Sequence, residues 1–215
     1  MNIYCFWTGT NDMSENRKRC LSQLKQTSGC NVILVDPSNL QNYILPEHPI
    51  HPAFEYLSLT HKADYLRTYF MHFHGGGYSD IKETGGSWID AFKELYSNDE
   101  KWICGYREVP HGVAYPPNRD KWRELIGNGA YICKPQTQLT TEWYSEMIAL
   151  LDTKLERLKQ FPATHPQEQG DSRPDYNGYP MEWNEMLGRI FHKICYKYKE
   201  RLMNKLPLLS FCNYR

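Results

Sequence analysis

Apolar positions along this chain alternate between short runs and stretches with a helical period. Short runs predict strands over 3–8, 31–36, 77–81, 101–108 and 128–134, and helical spacing predicts helices over 14–27, 38–44, 59–74, 87–97, 138–160 and 181–203. Strands separated by helices imply an α/β fold with a mostly parallel central sheet flanked by helices, and such sheets bind ligands beyond the carboxyl ends of their strands. Trp7-Thr8-Gly9, Asp36-Pro37-Ser38 and Asp80 all fall at or just after predicted strand ends. No repeat or low-complexity tract interrupts the pattern, so residues 1–215 are expected to form a single domain.

The segment ADYLRTYFMHFHGGGYSDIK, from Ala63 to Lys82, carries the most chemistry. Leu59, Ala63, Leu66 and Phe70 form one apolar stripe, and Ser58 or Thr60 can cap its start. Asp64 and Arg67 lie off that stripe at i, i+3, where an acid and a base are neighbours. Such a pair is either a solvated surface contact stabilising the helix by roughly 0.2–0.5 kcal/mol or the start of a polar site. Gly75 suits the residue after the helix end, and Gly76 and Gly77 leave room for a ligand or another backbone near Tyr78, Ser79 and Asp80.

Length and composition fit one core: 40% of residues are hydrophobic and 14% aromatic. The formal net charge is zero, which gives nucleic acid no long-range attraction and argues against it as a partner. No apolar run reaches the roughly 18 residues of a membrane span, and Met1 leads straight into a strand, so a cytoplasmic protein is expected. The seven cysteines are odd in number, widely spaced and without a CxxC pair, which reads as free thiols and no zinc site.

The Asp64–Asp80 segment resembles the (S/A)D-x-x-R…GG-x-Y-x-D-x-D region of glycosyltransferases with the GT-A fold. These include the DXD sugar-binding glycosyltransferases, the capsular polysaccharide synthesis proteins and the clostridial glucosylating toxins. Ile3-Tyr4-Cys5-Phe6-Trp7-Thr8-Gly9 is similar to their first strand, and Gly127-Asn128-Gly129-Ala130-Tyr131-Ile132 to a later one. The likeness spans roughly residues 3 to 135. It extends to the N-terminal domain of a multidomain chlorella-virus glycosyltransferase that builds capsid glycans.

The resemblance implies transfer of a hexosyl or deoxyhexosyl unit from a UDP-sugar, UDP-glucose or UDP-rhamnose, to a glycan hydroxyl, with retention of configuration. It implies a nucleotide-sugar-binding part over 1–135 and an acceptor or lid part over 136–215. Further domains of the same polypeptide are expected, and host cytoplasm if the source is viral. Trp7 would stack on uracil, with Thr8 and Gly9 presenting backbone groups to it. Asp64 and Arg67 would grip the sugar, Tyr78 would approach the ribose, and Asp80 would hold Mn²⁺ or Mg²⁺. Asp36 is either a base or ribose contact or a turn-forming carboxylate, and Asn128 either a phosphate or acceptor contact or a turn residue.

One position departs from the family pattern. Lys82 stands where a second metal-ligating aspartate is expected. Either Asp80 ligates the metal alone, or Lys82 turns away, or it replaces part of the metal's charge; Glu83 is the nearest substitute carboxylate. A loop over 108–126 is a possible acceptor wall. A second loop, over 161–181, offers His165 or Asp171 as a further metal or phosphate ligand. Glu182-Trp183-Asn184 loosely resembles the family's acid and tryptophan beside the leaving phosphate. Alternative readings are an inactive relative that only binds sugar nucleotide or glycan, and a sugar-1-phosphate nucleotidyltransferase. The latter would want a glycine-rich basic loop after the first strand, where this chain has TGTNDMSENRKR.

Overall fold

The computed structural model describes residues 1–212. Its strands are β1 (Asn2–Phe6), β2 (Asn31–Val35), β3 (Gly76–Ser79), β4 (Ile103–Arg107), β5 (Ile126–Cys133) and β6 (Leu202–Asn204), joined in one sheet in the order β2-β1-β3-β5-β4-β6. The β1–β2, β1–β3 and β4–β6 pairs are parallel, while β5 runs against both β3 and β4. Five strands therefore share one direction and β5 alone opposes them. The mostly parallel α/β sheet predicted from the sequence is present, with mixed pairing at its centre.

Alternation along the strands separates two cores. Tyr4 and Phe6 of β1 and Tyr131 and Cys133 of β5 face α2 (Leu59–Phe73), α4 (Gln138–Gln160) and α5 (Gly188–Lys197). Ile3, Cys5, Ala130 and Ile132 face α1 (Glu15–Thr27) and α3 (Ile89–Ser97). Helix starts follow the caps in the sequence: Ser14, Ser58 and Thr137 accept hydrogen bonds from Arg17, His61 and Thr140 backbone N–H groups. α2 stops at Gly75, whose φ of 65° is left-handed and whose N–H reaches back to the Phe70 carbonyl. The described cysteines are all free thiols, and among the described residues no helix is long and apolar enough to cross a membrane.

Two predicted helices are revised. The 38–44 segment is a single 3-10 turn, Leu40–Tyr43. The long helix predicted over 181–203 is only α5, and its tail instead forms β6. Leu202, Met203 and Asn204 complete the open edge of β4, where ladder hydrogen bonds and burial of Met203 outweigh helical continuation. Short 3-10 segments at Pro52–Tyr56 and Pro116–Glu124 lie in stretches predicted as loop.

The segment between α4 and α5 has no regular structure, yet it is pinned. Lys154, on α4, reaches Ser172 Oγ at 2.8 Å, the Pro180 carbonyl at 2.6 Å and the Glu185 carboxylate at 2.8 Å. The Lys154 and Glu185 side chains are only 10% and 14% exposed. Truncating one partner strands the other charge, so Lys154→Ala should lose about 3–5 kcal/mol. Lys154→Met combined with Glu185→Leu should recover much of that loss, as read by urea denaturation.

Candidate functional site

At the carboxyl ends of β1 and β3 the loop after β1, the first turns of α1, the start of α2 and the turn after β3 enclose a cavity of about 360 Å³. Trp7, Thr8 and Gly9 line it, as do Arg67, Tyr78, Ser79 and Asp80. The sequence order brings these residues together because β1 and β3 are adjacent parallel strands. Trp7 is held by its indole N–H, which donates to the Asn11 carbonyl at 2.7 Å, and Thr8 Oγ1 donates to the Leu59 carbonyl at 2.7 Å.

Arg67 is the centre of the floor. Its Nη2 donates to Asp64 Oδ1, its Nη1 donates to the Asn128 carbonyl at 2.8 Å, and Asp80 Oδ1 lies 3.6 Å from Nη1. The guanidinium carbon sits 4.9 Å from the centre of the Tyr78 ring. Asp64 and Arg67 are therefore a buried pair, with side chains 5% and 10% exposed, and not a solvated surface contact. Burial pushes the Asp64 carboxyl up, against the pull of Arg67; burial also opposes the Arg67 charge, but Tyr78, Asp64 and Asp80 more than restore it. Asp64 does not line the cavity. It pairs with Arg67 and holds that guanidinium in place.

Asp80 follows β3, and its N–H donates to the Gly129 carbonyl at 2.8 Å. A tight turn, with the Lys82 N–H donating to the Asp80 carbonyl at 2.8 Å, brings Lys82 back over the carboxylate. Lys82 Nζ lies 2.6 Å from Asp80 Oδ2, and Tyr78 Oη donates to Oδ1. Burial would raise the Asp80 carboxyl, but Lys82 and Arg67 outweigh it and hold the group below the usual carboxylate range.

A divalent cation finds a poor fit here. Among the described residues Asp80 is the only carboxylate lining the cavity, and both its oxygens are engaged. Glu83 is 41% exposed and 3.7 Å from Arg19. His165 is exposed and outside the lining, although its neighbours Pro166 and Gln167 are in it; Asp171 pairs with Arg173 at 2.9 Å. Among the described residues no group of three or more His, Cys, Asp or Glu side chains could hold a metal. A dication about 4 Å from the Lys82 ammonium would also meet a repulsion of about 8 kcal/mol at an effective dielectric of about 20.

Two other sequence candidates sit elsewhere. Asp36 lies outside the lining and caps its own turn, accepting from Ser38 N at 2.8 Å and Ser38 Oγ at 2.5 Å. Asn128 gives Arg67 its main-chain carbonyl and does not line the cavity. Sequence reasoning passed over Arg17, which lines the cavity and donates from Nη1 to the Ile81 carbonyl at 2.5 Å. Its place in the first turn of the helix after β1 was the available signal.

The second wall comes from beyond α4. Trp183 lines the cavity, and its neighbour Asn184 lines a second one of about 310 Å³ with His111, Gly112 and Arg119. The loop carrying His111 rests on a buried pair, Glu108 Oε2 at 2.9 Å from His192 Nε2, while the Ala114 N–H donates to His192 Nδ1 at 2.9 Å. Ser58, His61 and Tyr179 join the same wall to α2, with Tyr179 Oη 2.8 Å from His61 Nδ1.

Residues 1–105, just under half of the chain, match the sequence model of a family described as capsular polysaccharide synthesis protein. A solved structure titled PaToxG Glycosyltransferase is similar over 91% of this chain and 67% of its own, with 14% sequence identity and a TM-score of 0.49. No curated protein sequence matches the chain.

Burial lowers the His61 imidazole, against a smaller opposing pull from Asp64, so the fold prefers His61 neutral. The unfolded chain takes up that proton first, near its ordinary pKa of about 6.5. Stability should therefore be level above that pH and fall as pH drops from about 6.5 toward 5. His61→Gln should flatten this slope in urea titrations without abolishing it, because burial also lowers His72.

Proposed function

We propose that the protein is a glycosyltransferase that moves a sugar from a nucleoside diphosphate to a hydroxyl group of a glycan. The observation that carries this reading is the cavity floor, where Arg67, buried and locked by Asp64, meets Asp80 beneath an opening flanked by Trp7 and Trp183. The match of residues 1–105 to the capsular polysaccharide synthesis family supports the same class of chemistry. In this reading the base lies on the Trp7 ring with Thr8 and Gly9 at its edge, and the diphosphate lies toward Arg17, Arg67 and Lys82. The donor is a UDP-hexose or UDP-deoxyhexose, with UDP-glucose and UDP-rhamnose the first to test. The acceptor glycan enters by the neighbouring cavity, past Asn184 and Arg119.

The reaction breaks the bond between the sugar C1 and the diphosphate oxygen, which keeps the electron pair. The acceptor oxygen bonds to C1 and releases its proton. Asp64 does not line the cavity, and Asp80, held by Lys82 and Arg67 below the usual carboxylate range, is a weak base, so neither is assigned as nucleophile or base. The departing diphosphate oxygen takes the acceptor's proton on the same face of the sugar, which gives retention.

UDP release from the two donors, measured with a glycan acceptor mixture, tests the proposal. Arg67→Lys keeps the charge but loses the planar fork, and turnover should fall about 100-fold. Trp7→Ala should mainly raise KM, about tenfold, through lost stacking. Failure of both donors to bind or turn over, or full activity in Arg67→Lys, would overturn the reading.

A further inference from the structure

We propose that this site binds the donor diphosphate without a divalent cation, the Lys82 ammonium standing where a metal held by a second carboxylate would otherwise sit. The inference rests on the glycosyltransferase reading above and specifies how its leaving group is held. It starts from charge balance. Two carboxylates with one dication between them sum to zero, and so does the Asp80–Lys82 pair, at 2.6 Å. The exchange of a carboxylate for an ammonium at position 82 therefore removes the need for the metal and its ligand together.

The surroundings are arranged for this ammonium. The turn from Asp80 to Lys82 folds the side chain back over the carboxylate, and its Nζ also lies 4.6 Å from the centre of the Phe211 ring. At 14% exposure the Lys82 side chain is largely desolvated, which strengthens its hold on an anion that enters the cavity. Arg17 and Arg67 line the same cavity as Lys82, so an anion that enters it meets three cationic side chains. A diphosphate esterified at both ends keeps one negative charge on each phosphoryl group, the kind of anion that such a cationic lining attracts. A divalent ion added to the same lining would face three cations with Asp80, already engaged, as the single lining carboxylate among the described residues.

As the C1–O bond breaks, the electron pair stays on the phosphate oxygen and the charge on the diphosphate rises. Lys82 and Arg67 meet it with hydrogen-bond donors that are in place before the reaction and are unchanged after it.

Calorimetric titration with UDP, in EDTA and again in Mn²⁺, tests the inference on the wild type and two variants. The wild type should bind with the same Kd in both buffers, within about twofold. Lys82→Ala should bind at least tenfold more weakly in EDTA. Lys82→Asp, which supplies the second carboxylate, should be equally weak in EDTA, recover in Mn²⁺, and show protein-bound Mn²⁺ by electron paramagnetic resonance. Loss of tenfold or more by the wild type on EDTA treatment would overturn the inference and leave the glycosyltransferase reading standing. Absence of wild-type UDP binding in both buffers would overturn the two together.

Discussion

A guanidinium taken out of water must find its partners inside the protein, and Arg67 finds them in separate parts of the chain. Asp64 comes from its own helix, the Asn128 carbonyl from β5, and Asp80 and the Tyr78 ring from β3 and its end. Leaving any of these contacts unmade would expose the cost of burying a charge. These contacts tie α2 to β3 and β5 at the floor of the cavity. Because β5 enters from the opposite direction, it brings its chain start and the Asn128 carbonyl to the carboxyl end of β3.

Glycines accommodate that junction. A Cβ at Gly127 would stand 2.0 Å from the Tyr106 ring, whose hydroxyl accepts from the Gly129 N–H at 3.3 Å. A Cβ at Gly112 would stand 2.2 Å from Glu108 Oε1, the carboxylate that faces His192. Both positions trade a side chain for the close approach of another residue, and the approaching residue is in each case part of the frame around a cavity.

The sequence made α2 and α4 legible because caps, periodicity and length agree there, and it placed Trp7, Thr8, Gly9, Arg67 and Asp80 at strand ends or on one helix, where the structure brings them to one cavity. Position relative to neighbours was harder to read. The i, i+3 spacing of Asp64 and Arg67 established that they touch, but the depth at which they touch depends on β5, about sixty residues away. The turn that returns Lys82 to Asp80 and the burial of Glu108 against His192 are likewise long-range outcomes with no local signature. β6 was read as the end of a helix because three residues carry no period of their own and are ordered by the edge they join. Asp36 kept the role its Asp-Pro-Ser context supports, that of a turn residue.

The knot of Ser58, His61 and Tyr179 has a mechanical side. It fastens the wall that carries Trp183 to the first turn of α2, and α2 also carries the floor residue Arg67. A second attachment, the Thr60 N–H to the Pro166 carbonyl at 3.1 Å, lies on the same turn. These bonds tie wall and floor together across the opening. A molecule that enters meets an opening whose two sides are joined to each other, so the dimensions of that opening belong to the fold itself.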